Sequence, residues 1–184
     1  IWTNPNAPTG GFAEPGIIAD FARSFPGIVL IDEAYADFAE GNSMHLATNE
    51  KNRNILVMRT FSKSYSLAGL RVGYIVGPKD LIAALFKIKD SYNVDALAQA
   101  IALAAVKDQK WMRTNAKKII ATRTWFAGEL GKLGWEVCPS QANFVFARPP
   151  KGKNAKDIFE FLRSHKIFVR FFPKPGIDKF LRIT

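Results

Sequence analysis

Arg59-Thr60-Phe61-Ser62-Lys63-Ser64-Tyr65-Ser66-Leu67-Ala68-Gly69-Leu70-Arg71-Val72-Gly73-Tyr74 is entered by one apolar run, Ile55 to Met58, and leads into another, Val72 to Val76. Short continuous apolar runs bounded by turn residues read as buried strands. A hydroxyl, a lysine, small residues and an arginine then stand where the chain leaves the first strand. A lone lysine with hydroxyl neighbours carries little meaning. Two further polar motifs give it context. Asp32-Glu33-Ala34-Tyr35 closes the apolar run Ile28 to Ile31, and Asn4-Pro5-Asn6-Ala7-Pro8-Thr9-Gly10 follows the strand-like tail Ile1 to Thr3. Three polar motifs, each closing a strand, predict one pocket at one edge of a sheet.

The rest of the chain alternates in the same way. Pro15 suits the first position of a helix. Ile17, Ile18, Phe21 and Phe25 recur at helical spacing until Pro26-Gly27. Residues 41–54 read as a polar loop, Asn54 to Met58 as a buried strand and Val72 to Val76 as another. Pro78 to Ile88 reads as a helix with Leu81, Ile82, Leu85 and Phe86 on one face. Ala96 to Val106 is almost wholly apolar and reads as a buried helix. Gln109 to Leu133 is long and amphipathic through Trp111, Ile119, Ile120, Trp125, Phe126 and Leu130. Beyond Gly134 come short strands at Trp135 to Cys138, Asn143 to Ala147, Ile167 to Arg170 and Phe180 to Thr184, with a helix at Ala155 to His165. Strand–helix alternation argues a three-layer αβα large domain around a mostly parallel sheet, followed by a small α+β domain. The division falls at residues 1–108 and 109–184, and the long helix connects the two. The large domain is expected to be partial, because the chain opens at a strand's tail, and the small domain incomplete at its end, because the chain stops in a strand.

Composition narrows the classes. At 184 residues with 48% apolar content the chain supports a sizeable core. No apolar run approaches the ~20 residues of a bilayer span, and no signal peptide is expected, so the location is cytoplasmic without membrane partners. The single cysteine, Cys138, excludes an internal disulfide framework and fits a reducing compartment. The net charge of +10 raises nucleic acid as a partner, yet the basic residues are dispersed and no aromatic-interleaved basic stripe occurs. Most are solvated, and nucleic acid is not the expected partner. No His, Cys or acid pair has metal-ligand spacing, so no metal is expected. His45, His165, Trp111, Trp125 and Trp135 read as solvated or packing residues, and Glu33 as half of a salt bridge.

In an open α/β sheet, ligands collect beyond the carboxyl ends of the strands. There the sequence puts Lys63, Asp32, Tyr35, and Ser62 with Arg71. A structural ion pair explains any one of them. Together they make the set a pyridoxal phosphate site needs: an amine, a carboxylate for the ring nitrogen, a hydroxyl for the ring oxygen and a cradle for the phosphate.

Asn4 to Gly10, Asp32 to Tyr35, Thr60 to Tyr74 and the closing Leu181-Arg182-Ile183-Thr184 resemble the fold-type-I pyridoxal-phosphate aminotransferases, most of all the histidinol-phosphate branch. The resemblance covers essentially the whole chain, as the C-terminal half of such an enzyme. It implies transfer of an amino group between L-histidinol phosphate and 2-oxoglutarate, giving imidazole acetol phosphate and L-glutamate in histidine biosynthesis. Threonine-phosphate decarboxylases and aromatic aminotransferases share the machinery and stand as alternatives. It also implies a homodimer sharing its active sites, and an inactive fragment when these residues stand alone. Lys63 would carry the cofactor as a Schiff base and shuttle the proton. Asp32 would pair with the ring nitrogen, Tyr35 would donate to the ring oxygen, and Ser62 and Arg71 would hold the phosphate. Arg182 would bind the substrate carboxylate, with Arg170 as a second cation for a substrate phosphate. One position departs. The family has an asparagine before Pro-Thr-Gly, where this chain has Ala7, and Asn6 or Asn4 is then the substitute unless both only cap turns. A basic nucleic-acid-binding module is the non-enzymatic rival, and it predicts strongly salt-dependent DNA binding.

Overall fold

The computed structural model describes residues 1–184. The first sheet has four strands in the order β1 (Trp2–Thr3), β2 (Val29–Asp32), β3 (Ile55–Thr60), β4 (Gly73–Val76). β1 and β3 flank β2 in parallel, and β4 pairs antiparallel with β3. Thr3, Asp32 and Met58 are register partners. The three polar motifs therefore leave the sheet at one edge, the carboxyl ends of three adjacent parallel strands. Gly73 is needed where β4 turns back: a Cβ there would stand 2.7 Å from the Arg59 carbonyl oxygen.

Helix α1 (Pro15–Ser24) and the short helix α2 (Met44–Ala47) cover one face of this sheet. Ile18, Ile31, Ile55 and Val57 are wholly buried there, beside Val29, Leu46 and Ala47. Each such aliphatic side chain contributes roughly 1.5–3 kcal/mol through burial. Asn54 fastens the helix to the sheet. Its side-chain amide donates to the carbonyls of Ala22, Phe25 and Gly27, at 2.8, 3.3 and 3.0 Å. It thereby satisfies carbonyls that a helix end leaves open.

Helices α3 (Lys79–Ile88) and α4 (Ala96–Lys107) lead to α5 (Gln109–Lys132), which passes the short 3₁₀ turn Ala36–Phe38. Phe38, Met112 and Ala116 pack together there, with Tyr35, Tyr65, Ile119 and Ile120 around them. A second, antiparallel sheet follows in the order β5 (Glu136–Cys138), β6 (Val145–Arg148), β8 (Leu181–Ile183), β7 (Arg170–Phe171), with α6 (Ala155–Ser164) between β6 and β7. Leu130 of α5 packs on Val145 and Ala147 of this sheet.

Two residues, Arg123 and Gln141, fasten the second sheet to the first. Arg123 of α5 donates to the carbonyls of Phe38 and Ala142, at 3.2 and 2.7 Å. The Gln141 amide donates to the Gly10 carbonyl at 2.8 Å, and its side-chain oxygen accepts from the Glu40 amide.

Several elements differ from expectation. β4 is exposed along Gly73 to Ile75 rather than buried, because it is an edge strand whose outer flank nothing in these residues covers. α4 buries only Ala98 and Ala102, while Leu97 and Leu103 are 68% and 56% exposed. Its fully buried residues are both small, and Ile101 is half-buried beside them. On α1 the core side is Ile18, Ala19 and Ala22. Phe21 and Phe25 instead stack on each other, and Phe21 meets Trp2 edge-on. The loop at residues 41–54 contains α2, whose Leu46 and Ala47 join the core.

Candidate active site

The end of β3 is held by a polar cluster that precedes any ligand. Arg59 Nε and a terminal nitrogen both reach Glu33 Oε2 at 2.8 Å, and its other terminal nitrogen reaches Asp37 Oδ1 at 3.0 Å. Glu33 is wholly buried and also accepts from the Ser43 amide, while Asp37 also accepts from the Ser64 hydroxyl. Glu33 is thus the salt-bridge residue expected. The cluster ties the turn after β2 to the residue next to Lys63.

Lys63 lies just beyond this strand end. With Asp32, Ser62 and Arg71 it lines a cavity of about 940 Å³, whose far wall is Ile82, Leu85 and Phe86 of α3. The amphipathic face of α3 is therefore turned to the cavity rather than to a core. Lys63 Nζ stands 5.3 Å from the Tyr35 ring centroid. Asp32 is positioned by the Ala34 amide, which donates to its Oδ1 at 3.0 Å. The Thr60 hydroxyl donates to Ser62 Oγ at 2.9 Å, leaving the Ser62 proton free for an anion, and it accepts from the Ser62 amide. Arg71 follows the 3₁₀ turn Ala68–Leu70 with φ of 55°. A left-handed non-glycine residue costs about 1–2 kcal/mol, and such strain gathers at functional sites. The Arg71 guanidinium is braced on the Ala68 carbonyl at 2.8 Å.

The second sheet presents the other cations. Arg170 and Arg182 are direct cross-strand partners on β7 and β8. Both guanidiniums lie over Phe172, at 5.6 and 5.7 Å, and Arg182 also lies over Phe144 at 5.1 Å. Neighbouring like charges repel, and no acid neutralises this pair. Arg182 Nε is buried without an acceptor, and Asn143 Oδ1 beside Phe144 is buried without a donor.

Four of the sequence-derived site residues thus share one cavity, and Tyr35 lies beneath the lysine. Asn6 does not join them. Its amide nitrogen donates to Thr3 Oγ1 and its oxygen accepts from Thr9 Oγ1, both at 2.8 Å. Asn4 exchanges two hydrogen bonds with the Ala13 backbone, at 2.9 and 2.8 Å. Both asparagines bond within their own loop and shape it. Sequence reasoning missed Thr60, Arg59, Phe144 and Phe172. Arg59 was readable as a charge inside a buried strand, but the two aromatic residues carried no signal beyond that of core residues.

None of Lys63, Asp32, Arg71, Arg170 and Arg182 takes part in an ion pair. An unpaired amine and carboxylate in one cavity, a free hydroxyl proton and an orphaned guanidinium nitrogen fit an anionic group bearing a carbonyl. The fold is that of the fold-type-I pyridoxal-phosphate transferases. The chain belongs to the class I and II aminotransferases, whose family model matches residues 1–184. It is 49% identical to histidinol-phosphate aminotransferase of Geotalea daltonii over 182 residues, covering 99% of this chain and 52% of that one. It superposes on histidinol-phosphate aminotransferase of Sinorhizobium meliloti, solved with pyridoxal-5'-phosphate, with a TM-score of 0.89 at 28% identity, over 99% of this chain and 51% of that one. L-threonine-O-3-phosphate decarboxylase of Porphyromonas gingivalis gives a TM-score of 0.83 at 26% identity, over 99% and 57%. The chain spans about half the length of the curated relatives it matches.

Proposed function

We propose that these residues form the lysine-bearing half of a pyridoxal-phosphate-dependent aminotransferase. Its substrates are L-histidinol phosphate and 2-oxoglutarate, and its products imidazole acetol phosphate and L-glutamate. One observation carries the reading: Asp32 at the end of β2 and Lys63 just past the end of the adjacent parallel β3 line one cavity, and neither is ion-paired. When bound, the cofactor supplies an electron sink for charge developing at the amino-bearing carbon. Lys63 Nζ is the amine available to a carbonyl, and it holds and moves the proton at that carbon. Asp32 would hold a protonated ring nitrogen through a charge-assisted hydrogen bond. Tyr35 offers a hydroxyl to the ring oxygen. Ser62, oriented by Thr60, and Arg71 would hold the phosphate. Asn6 is left out of this reading, because its amide already bonds Thr3 and Thr9 within its own loop.

Arg182 is the fork for a substrate carboxylate, and Arg170 beside it is the second cation for a substrate phosphate. Two adjacent guanidiniums without an acid favour such anions, and the names of the curated relatives support histidinol phosphate as the substrate. The exposed Phe86, Ile88, Leu97 and Leu103 support a covering protein surface, in keeping with a homodimer.

The test is borohydride reduction of the protein with pyridoxal phosphate, followed by peptide mass analysis. The adduct is expected on Lys63 and is lost in Lys63→Ala. An adduct at this site that persists without Lys63 overturns the assignment. A coupled assay comparing histidinol phosphate with phenylalanine then tests the substrate. Release of carbon dioxide from threonine phosphate would favour the decarboxylase reading that the Porphyromonas gingivalis structure supports.

A further inference from the structure

We infer that Phe144 is a positioning residue that couples the anion site at Arg182 to the Lys63 cavity. The inference rests on the function proposed above. It arises from a run of contacts linking the two sheets. Lys63 Nζ stands over the Tyr35 ring at 5.3 Å. The Tyr35 and Phe144 rings meet at 5.2 Å with planes at 88°. The Arg182 guanidinium lies 5.1 Å from the same Phe144 ring. Phe144 thus touches both Tyr35, which lies beneath Lys63, and the arginine proposed for the carboxylate.

Phe144 is also held firmly. It is 3% exposed. Its carbonyl accepts from Ser140 Oγ at 2.6 Å, and the carbonyl of Ala142, two residues before it, is clamped by Arg123. A close-packed ring between two partners cannot shift toward one without altering its contact with the other. Arg182 is unusually responsive, because two rings rather than an acid set its position and its Nε has no acceptor. An anion that draws in the guanidinium changes its seat on Phe144, and Tyr35 meets the consequence. Coupling between binding sites is reciprocal, so each ligand alters the affinity of the other by the same factor.

The bland alternative is a Phe144 that only fills the core. Titration of the protein with pyridoxal phosphate, with and without the non-reacting dicarboxylate glutarate, separates the two. In the wild type the ratio of the two cofactor dissociation constants is expected to be about fivefold or more. In Phe144→Leu it falls below about twofold, whereas Phe144→Tyr, which keeps the ring, retains it. If Phe144→Leu fails to fold, Phe144→Met fills similar space without a ring and takes its place. A wild-type ratio near one, or an equal ratio in the ring-less variant, overturns the coupling. Borohydride labelling of Lys63 in each protein distinguishes the causes. Without a wild-type adduct the cavity assignment fails and the coupling with it. An adduct accompanied by unchanged ratios defeats the coupling alone.

Discussion

Replacing Arg59 with methionine removes the one cation that two carboxylates share behind the lysine turn. Glu33 has a wholly buried side chain, and the Arg59 side chain is 13% exposed. Of the three Arg59 contacts at 2.8 to 3.0 Å, two go to Glu33 Oε2. Without the guanidinium, Glu33 keeps only the Ser43 amide. Breaking a buried pair by removing one partner costs about 3–5 kcal/mol, because the remaining charge is desolvated and uncompensated. Asp37, with 24% of its side chain exposed, retains water and the Ser64 hydroxyl and adds about 1 kcal/mol or less. The expected loss for Arg59→Met is therefore about 3–5 kcal/mol, measured by urea unfolding of the cofactor-free protein. The double variant Arg59→Met with Glu33→Gln leaves no buried charge at Glu33 and should recover part of that loss, giving a favourable coupling in the cycle. A cost below about 1 kcal/mol for the single variant, or a double variant no more stable than Arg59→Met, would falsify the view that this cluster holds the strand end.

Other outcomes follow from single contacts. Gly10 has φ of 81°, and a Cβ there would stand 2.7 Å from Ser140 Cβ; Gly10→Ala should destabilise by about 1–3 kcal/mol, and an unchanged urea midpoint would contradict the contact between the two sheets. Although Tyr74 lies on the exposed edge strand, partial burial raises its phenol above the usual value of about 10, with Arg59 partly opposing it. Its contribution to stability is full below about pH 10 and is lost as pH rises through the higher folded value, since the unfolded chain ionises first. An ultraviolet titration should therefore show one of the four tyrosines ionising late, and simultaneous ionisation of all four would count against that burial. Burial, with Glu136 second, raises the Cys138 thiol, so alkylation should lag behind that of a free thiol at pH 8; an equal rate would mean the side chain is open. Arg182→Lys keeps the charge but loses the fork, so KM for 2-oxoglutarate should rise about tenfold, a change worth about 1.4 kcal/mol. An unchanged KM would remove Arg182 from the carboxylate site.

Much of the candidate site was legible in the sequence, because each of its members closes a local pattern. Lys63, Ser62 and Asp32 follow continuous apolar runs, and such runs report strands through their immediate neighbours alone. The direction of β4 was not legible, since an apolar run reads alike parallel or antiparallel and buried or exposed. The apolar density of α4 suggested burial, but burial depends on what stands opposite. Asn6 read equally as a ligand donor or a turn cap, and the bonds of its amide to Thr3 and Thr9, which only the folded loop shows, favour the cap.

The sequence by itself determined the strand ends, the identity of the amine and carboxylate placed there, and the loop that precedes them. Only the tertiary structure decided that Arg59 serves Glu33 and Asp37, that Phe144 lies between Tyr35 and Arg182, and that Arg170 stands beside Arg182. Periodicity records which side of an element faces a core, over a few residues. A contact such as that between Tyr35 and Phe144 joins residues more than a hundred positions apart, and it exists only after two sheets have packed through Arg123 and the Ser140 turn.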